Sequence, residues 1–132
     1  MAVKEKETLT RAEWLVMEAL WSKSPLFLSE IMEAMQNTVD WKNSSYMTYL
    51  KRLTESGYVG FHSRSGNRCY YPLRAREECV KEEGAYVLSK MSEDSARLLL
   101  VSMVERSDFA EEEKEELAEL IQRLTKNAKR GD

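Results

Sequence analysis

The side chains of this sequence best suited to chemistry are cations. Lys42, Lys51, Arg52, Arg64, Arg68 and Arg74 fall within residues 41–74 against one carboxylate, Glu55, a balance of +5 in a chain whose net charge is −3. Residues 1–40 and 75–132 carry balances of −3 and −5. An acidic chain that gathers its positive charge into one segment has a candidate anion-binding face. Other reactive types are sparse. One histidine, His62, and two cysteines, Cys69 and Cys79, form neither a C-x-C nor a C-x-x-C pair. Their spacing matches no zinc pattern, so no metal and no other cofactor is expected. Cys79 reads as a small buried hydrophobe and Cys69 as a strand residue.

No catalytic constellation is visible. The sequence lacks a glycine-rich phosphate loop and a Gly-x-Ser-x-Gly elbow. Glu111-Glu112-Glu113 and Glu115-Glu116 stand in the first turns of a helix, where acidic residues favour the helix dipole. The chain is therefore expected not to be an enzyme.

The elements that position the cations follow from periodicity. Thr10-Arg11-Ala12-Glu13 fits a capping box, and Trp14, Met17, Leu20 and Trp21 behind it predict a helix from Arg11 to Ser22. Ser24-Pro25 breaks it, and Ile31, Met32 and Met35 mark a short second helix, followed by a turn at Asn37 to Asp40. A third helix is predicted from Asn43 to Ser56, capped by Asn43 or Ser44 and stopped at Gly57. Its inward stripe is Tyr46, Tyr49, Leu50 and Leu53; the opposite face carries Ser44, Thr48, Lys51 and Glu55, flanked by Ser45 and Arg52. After Gly57 the period becomes 2. Tyr58–His62 and Arg68–Leu73 then flank the turn Ser63-Arg64-Ser65-Gly66-Asn67, a hairpin whose tip is bracketed by Arg64 and Arg68.

Three helices followed by a two-stranded hairpin describe a mainly α winged helix-turn-helix over residues 1–74, with the hairpin as wing. The third helix would enter the major groove of double-stranded DNA and the wing would follow the backbone. Ser44, Ser45 and Thr48 are expected at base edges or phosphates, and Lys51, Arg52, Arg64 and Arg68 at phosphates. Lys42 and Asn43, at the start of the third helix, complete the expected DNA-binding set. The alternative is a winged-helix module that binds protein instead of DNA, which leaves the positive segment unused.

Residues 75–132 turn helical and acidic. Val80, Val87, Leu88 and Met91 mark one helix, Ser92 caps a second, and Asp108-Phe109-Ala110-Glu111 opens a third. The middle helix is apolar around most of its circumference, at Leu98, Leu99, Leu100, Val101, Met103 and Val104. Such a helix needs cover on several sides. A second copy of the chain is the economical source, which makes residues 75–132 a three-helix dimerisation domain. Its contacts would be Leu98, Leu99, Val101 and Met103, with Leu117, Leu120, Ile121 and Leu124 of the last helix. No uninterrupted apolar run is longer than that from Leu98 to Val101, which is far below the ~20 residues of a membrane span. No apolar segment follows the polar start Met1–Lys6, so neither membrane insertion nor secretion is expected and the cytoplasm is the expected location.

Taken in order, these residues resemble the BlaI/MecI penicillinase-repressor family. The likeness begins with Leu9-Thr10-Arg11-Ala12-Glu13-Trp14-Leu15-Val16-Met17, Leu20-Trp21, Ser24-Pro25-Leu26 and Glu30-Ile31. It continues through Asp40-Trp41, Leu50-Lys51-Arg52-Leu53, Gly57 and Tyr70-Tyr71-Pro72-Leu73 to Asp108-Phe109 and Glu112-Glu113-Lys114-Glu115-Glu116-Leu117. The resemblance spans about residues 7–126, and the shared order and spacing make it specific. It implies a homodimeric winged-helix repressor that occupies a palindromic operator. There are departures. The Ser-Pro usual at the start of the family's DNA-reading helix is Lys42-Asn43 here, and the family's Lys or Arg within that helix falls at Met47. The Asn-Phe bond cleaved in antibiotic-responsive members aligns with Ser102-Met103, which leaves the inducer, a ligand or a protease, unidentified. Copper-responsive relatives carry a C-terminal Cys-x-Cys pair; no cysteine follows Cys79 here, which excludes copper response by that route.

Overall fold

A computed structural model describes residues 8–130, with side chains to residue 123. The elements in chain order are α1 (Arg11–Ser22), β1 (Leu26–Phe27), α2 (Leu28–Met35), α3 (Asn43–Glu55), β2 (Val59–Arg64), β3 (Asn67–Pro72), α4 (Arg76–Ser89), α5 (Glu93–Arg106) and α6 (Glu111–Arg130). The capping box forms. Thr10 Oγ1 accepts from the Glu13 N–H at 3.2 Å, and Glu13 Oε1 accepts from the Thr10 N–H at 2.9 Å. Two orphan donors at the start of α1 are thereby satisfied, one by the Thr10 hydroxyl and the other by a carboxylate that is itself wholly buried.

Val16, Met17 and Leu20 of α1, Ile31 and Met35 of α2, and Tyr46, Leu50 and Leu53 of α3 meet in one core, closed by Tyr58, Val59 and Tyr70. Gly57, at φ 83°, ends α3 with the left-handed turn expected of it. The start of α3 differs from expectation. Lys42 occupies the cap position without a side-chain hydrogen bond, and Asn43 is already the first helical residue. The extended backbone falls one residue earlier than the first polar side chain able to cap, so neither Asn43 nor Ser44 takes that role.

The wing is larger than the expected two-stranded hairpin. β1 pairs antiparallel with β3 (Leu26 opposite Tyr70, Phe27 opposite Cys69), giving a three-stranded sheet in the order β1-β3-β2. A two-residue strand has no period to read. It exists because the outer edge of β3 offers it backbone partners. Helices α1 to α3 and this sheet make a winged helix-turn-helix.

The chain divides into two compact units, one running to Tyr86 and the other starting at Val87. The compositional change at residue 75 and the structural division therefore do not coincide. The reason lies in α4, whose first turns are fastened to α1. The Trp14 indole N–H donates to Glu83 Oε1 at 3.1 Å, the Thr8 hydroxyl donates to the same carboxylate, and Arg76 pairs with Glu18 at 3.5 Å. The Trp21 indole N–H donates to the Arg74 carbonyl at 2.8 Å, and Cys79 is buried in the core.

In the second unit α5 packs against α6. Ser92 caps α5 by accepting from the Ser95 N–H at 3.2 Å. Within this chain α5 buries none of its residues. Leu98 is 70% and Met103 59% exposed; Leu100, Val101 and Leu120 are exposed too, and Leu99, Leu117 and Ile121 are half-buried. The side chain of Leu124 lies outside the described residues. Among the described residues no helix is long and apolar enough to cross a membrane.

Candidate nucleic-acid interface

The rotation of α3 about its axis decides what it presents. Tyr46, Leu50 and Leu53 are buried, and Trp41 packs its ring 5.1 Å from Tyr46 and 4.8 Å from Tyr49. With the inward face fixed at both ends, Ser44, Met47, Thr48, Lys51 and Arg52 are exposed, as are Lys42 and Asn43 ahead of them. Ser45 is half-buried. The Thr48 hydroxyl donates to the Ser44 carbonyl at 2.8 Å, the back-bond of a helical threonine. Its proton is thus engaged while its lone pairs stay open, which makes it an acceptor toward anything approaching α3.

The hairpin positions the second group of cations. Ser65 (φ 53°) and Gly66 (φ 81°) make its tip, with Arg64 opposite Asn67 and Ser63 opposite Arg68. The Arg68 guanidinium stacks over Phe61 at 4.2 Å, and that of Arg52 stands 5.8 Å from the Tyr49 ring. A cation over an aromatic face is held in place without losing its charge. Nearby, a Cβ at Gly60 would meet the Tyr71 ring at 2.8 Å, so a larger residue there would have to displace that ring.

Two grooves run beside α3. One, of about 440 Å³, lies between α3 and the sheet and is lined by Met47, Thr48, Lys51, Phe61 and Arg68. The other, of about 690 Å³, is bounded by Phe27, Ser29, Met47, Gly66 and Arg68, joining the start of α2 to the hairpin tip. Met47, Arg68 and Tyr70 belong to both.

The electrostatics separate the cations into two kinds. Arg74 is hydrogen-bonded to Glu78 at 3.1 Å and to Glu82, and lies 4.9 Å from the Tyr58 ring. Burial lowers its pKa, but the two carboxylates outweigh burial and raise it. Arg76, Arg97 and Lys114 likewise pair with Glu18, Asp94 and Glu111. Lys42, Lys51, Arg52, Arg64 and Arg68 appear in none of the ion pairs among the described residues. Arg74 therefore leaves the positive segment, and five exposed cations remain on α3, the residue before it and the hairpin. Beside Arg74, burial pushes the Cys79 thiol and the Tyr58 hydroxyl above their ordinary pKa values, with Arg74 opposing in both cases.

Residue spacing did not point to two members of this face, Met47 and Ser29. Met47 is an apolar residue off the inward stripe, and that displacement was the available signal. Ser29 had none, since the start of α2 depends on the unread strand β1. Among the described residues no three His, Cys, Asp or Glu side chains come together as a metal site requires.

Comparison with known proteins completes the description. The profile of a family described as penicillinase repressor matches residues 9–123. The methicillin resistance regulatory protein MecI of Staphylococcus aureus (strain N315) is 25% identical over 113 residues, covering 86% of this chain and 92% of that protein. The penicillinase repressor of Bacillus licheniformis is 21% identical over 120 residues, covering 91% and 94%. The solution structure of the DNA binding domain of the repressor BlaI matches with a TM-score of 0.51 at 24% identity, covering 57% of this chain and 93% of that domain. The last is a likeness of fold.

Proposed function

The chain belongs to the penicillinase-repressor family, and from that premise we propose that it is a DNA-binding transcriptional repressor that occupies a palindromic operator as a homodimer. One observation carries this reading. Lys42, Lys51, Arg52, Arg64 and Arg68 are exposed, lie within a segment whose one carboxylate is Glu55, and have no carboxylate partners among the described residues. Five uncompensated cations around a helix and its wing suit a polyanion with one charge per about 1.7 Å of axis. In this reading α3 enters the major groove, where Ser44, Ser45 and Thr48 reach base edges, and the wing arginines meet the backbone.

Residues 75–132 supply the dimer through the apolar surface of α5, the exposed Leu98, Val101 and Met103 with the half-buried Leu99, joined by Leu117, Leu120, Ile121 and Leu124 of α6. Two-fold symmetry then presents two copies of α3 to two half-sites, so the operator is palindromic. Residues 1–74 hold the DNA-binding surface. The site of action is the cytoplasm, where the DNA is. Relief of repression comes from a ligand or a protease other than one cutting Asn-Phe, since Ser102-Met103 lies inside the continuous helix α5, and cleavage there first requires local unfolding.

Titrating the full chain onto a random-sequence duplex at rising salt tests the reading. Five phosphate contacts per protomer give a slope of log K on log salt of about −4 to −5 per protomer. A chain that binds no duplex, or binds with no salt dependence, is instead the protein-binding module.

A further inference from the structure

α3 carries one large apolar side chain on its exposed face. Met47 is 53% exposed, although an apolar group of that size on a DNA-reading surface gains nothing from water or from phosphate. It is the residue that both grooves share on α3, with Lys51 and Arg68 beside it and Thr48 following it. Glu55 also lines the first groove, but Lys51 and Arg68 outnumber it, and a net positive charge beside the apolar Met47, Leu50 and Phe61 defines a narrow class of occupant. The cations draw in the phosphate backbone, and what then reaches the apolar groups is the edge of a base pair.

The chemistry of the thioether narrows the choice further. Methionine has no hydrogen-bond donor and only a weak acceptor in its sulfur. In the major groove, guanine presents acceptors, cytosine an amino donor, and adenine one of each. Thymine alone adds a methyl group, at C5. An unbranched, polarisable side chain with three rotatable bonds adapts its shape to such a group. Met47 is the fifth residue of α3, within the N-terminal half that a helix of this kind points at base edges. Given duplex binding at this face, the reading proposed above, we infer that Met47 determines operator sequence by packing on the 5-methyl group of a thymine in each half-site.

Uracil lacks that methyl and pairs identically, so it isolates the contact. Duplexes are first selected from a random pool with the full chain, and each thymine of the best binder is then replaced singly by deoxyuridine. The wild type loses about fourfold in affinity at one thymine per half-site, the worth of one buried methyl-sized group. Met47→Ala binds the parent duplex more weakly and no longer distinguishes thymine from uracil at that position. Met47→Leu, which keeps an apolar surface, still distinguishes them. A wild type indifferent to uracil everywhere, or a Met47→Ala variant as sensitive as the wild type, overturns the role of Met47 and leaves duplex binding standing. Selection that yields no bound duplex overturns both.

Discussion

The Arg68 guanidinium stands 4.2 Å from the centroid of the Phe61 ring, cation over aromatic face, on neighbouring strands of the wing. Phe61 in turn packs against the core and lies 5.9 Å from Tyr70. A cation at the surface is thus oriented by a ring anchored in the interior, and its charge stays available. Arg68→Ala should weaken binding to all duplexes alike and lower the salt slope by about one. Phe61→Leu keeps the charge and frees its position, so it should cost about 0.5–1 kcal/mol of affinity with the slope unchanged. Binding isotherms at four or five salt concentrations separate the two.

Thr48 makes a different prediction, because its hydroxyl proton is engaged by the Ser44 carbonyl. As an acceptor it selects a base pair that presents an amino group in the major groove, at adenine or cytosine. Thr48→Ala should relax preference at one base pair by roughly 1–3 kcal/mol and leave binding to random DNA unchanged. Thr48→Ser should retain the preference. Competition between single-base variants of a selected duplex measures both.

Leu98 is among the most exposed apolar residues of the chain. A charge there does not disturb packing within the chain, so Leu98→Glu should leave the helical circular dichroism intact. It should nevertheless convert a micromolar dimer into monomers in sedimentation, and abolish cooperative operator binding. Wild-type protein that is monomeric at that concentration would remove the basis for the proposed dimer.

Alkaline stability follows from Cys79 and Tyr58, both raised above their ordinary pKa values chiefly by burial. Both groups are neutral when protonated, and the unfolded chain ionises first as pH rises. The unfolded state then holds fewer protons than the folded one, so stability is complete below the ordinary thiol range and falls as pH climbs through the raised values. Urea midpoints should drop as pH rises through about 8.5, where an unperturbed thiol is half ionised. Cys79→Ala should flatten the earlier part of that loss and Tyr58→Phe the later part, each relative to its own midpoint at neutral pH.

Much of this was legible in the chain as written. The capping box at Thr10 and Glu13, the stripe Tyr46, Leu50 and Leu53, the stop at Gly57 and the change of period in the hairpin are all local signals, each carried within a few neighbouring residues. They suffice for the winged helix. The segmental charge balance and the ordered fragments between Leu9 and Leu117 carried the resemblance to the family. None of these needs a partner distant in sequence, which is why periodicity could find them.

The remaining features depend on contacts between residues far apart in the chain. β1 is a strand only beside β3, and α4 joins the winged-helix unit only because Glu83 meets Trp14 and Cys79 finds the core. Arg74 counted as one of six cations in the segment, yet Glu78 and Glu82 of the following helix neutralise it. Met47 stood out in the sequence only as a departure from the family's Lys or Arg, until the sheet and the start of α2 placed a groove on each side of it. Charge and apolarity belong to the residue, but what they act on is set by the neighbours that folding supplies. Composition therefore located the candidate binding segment, and tertiary contacts alone decided which of its charged side chains stay without a carboxylate partner.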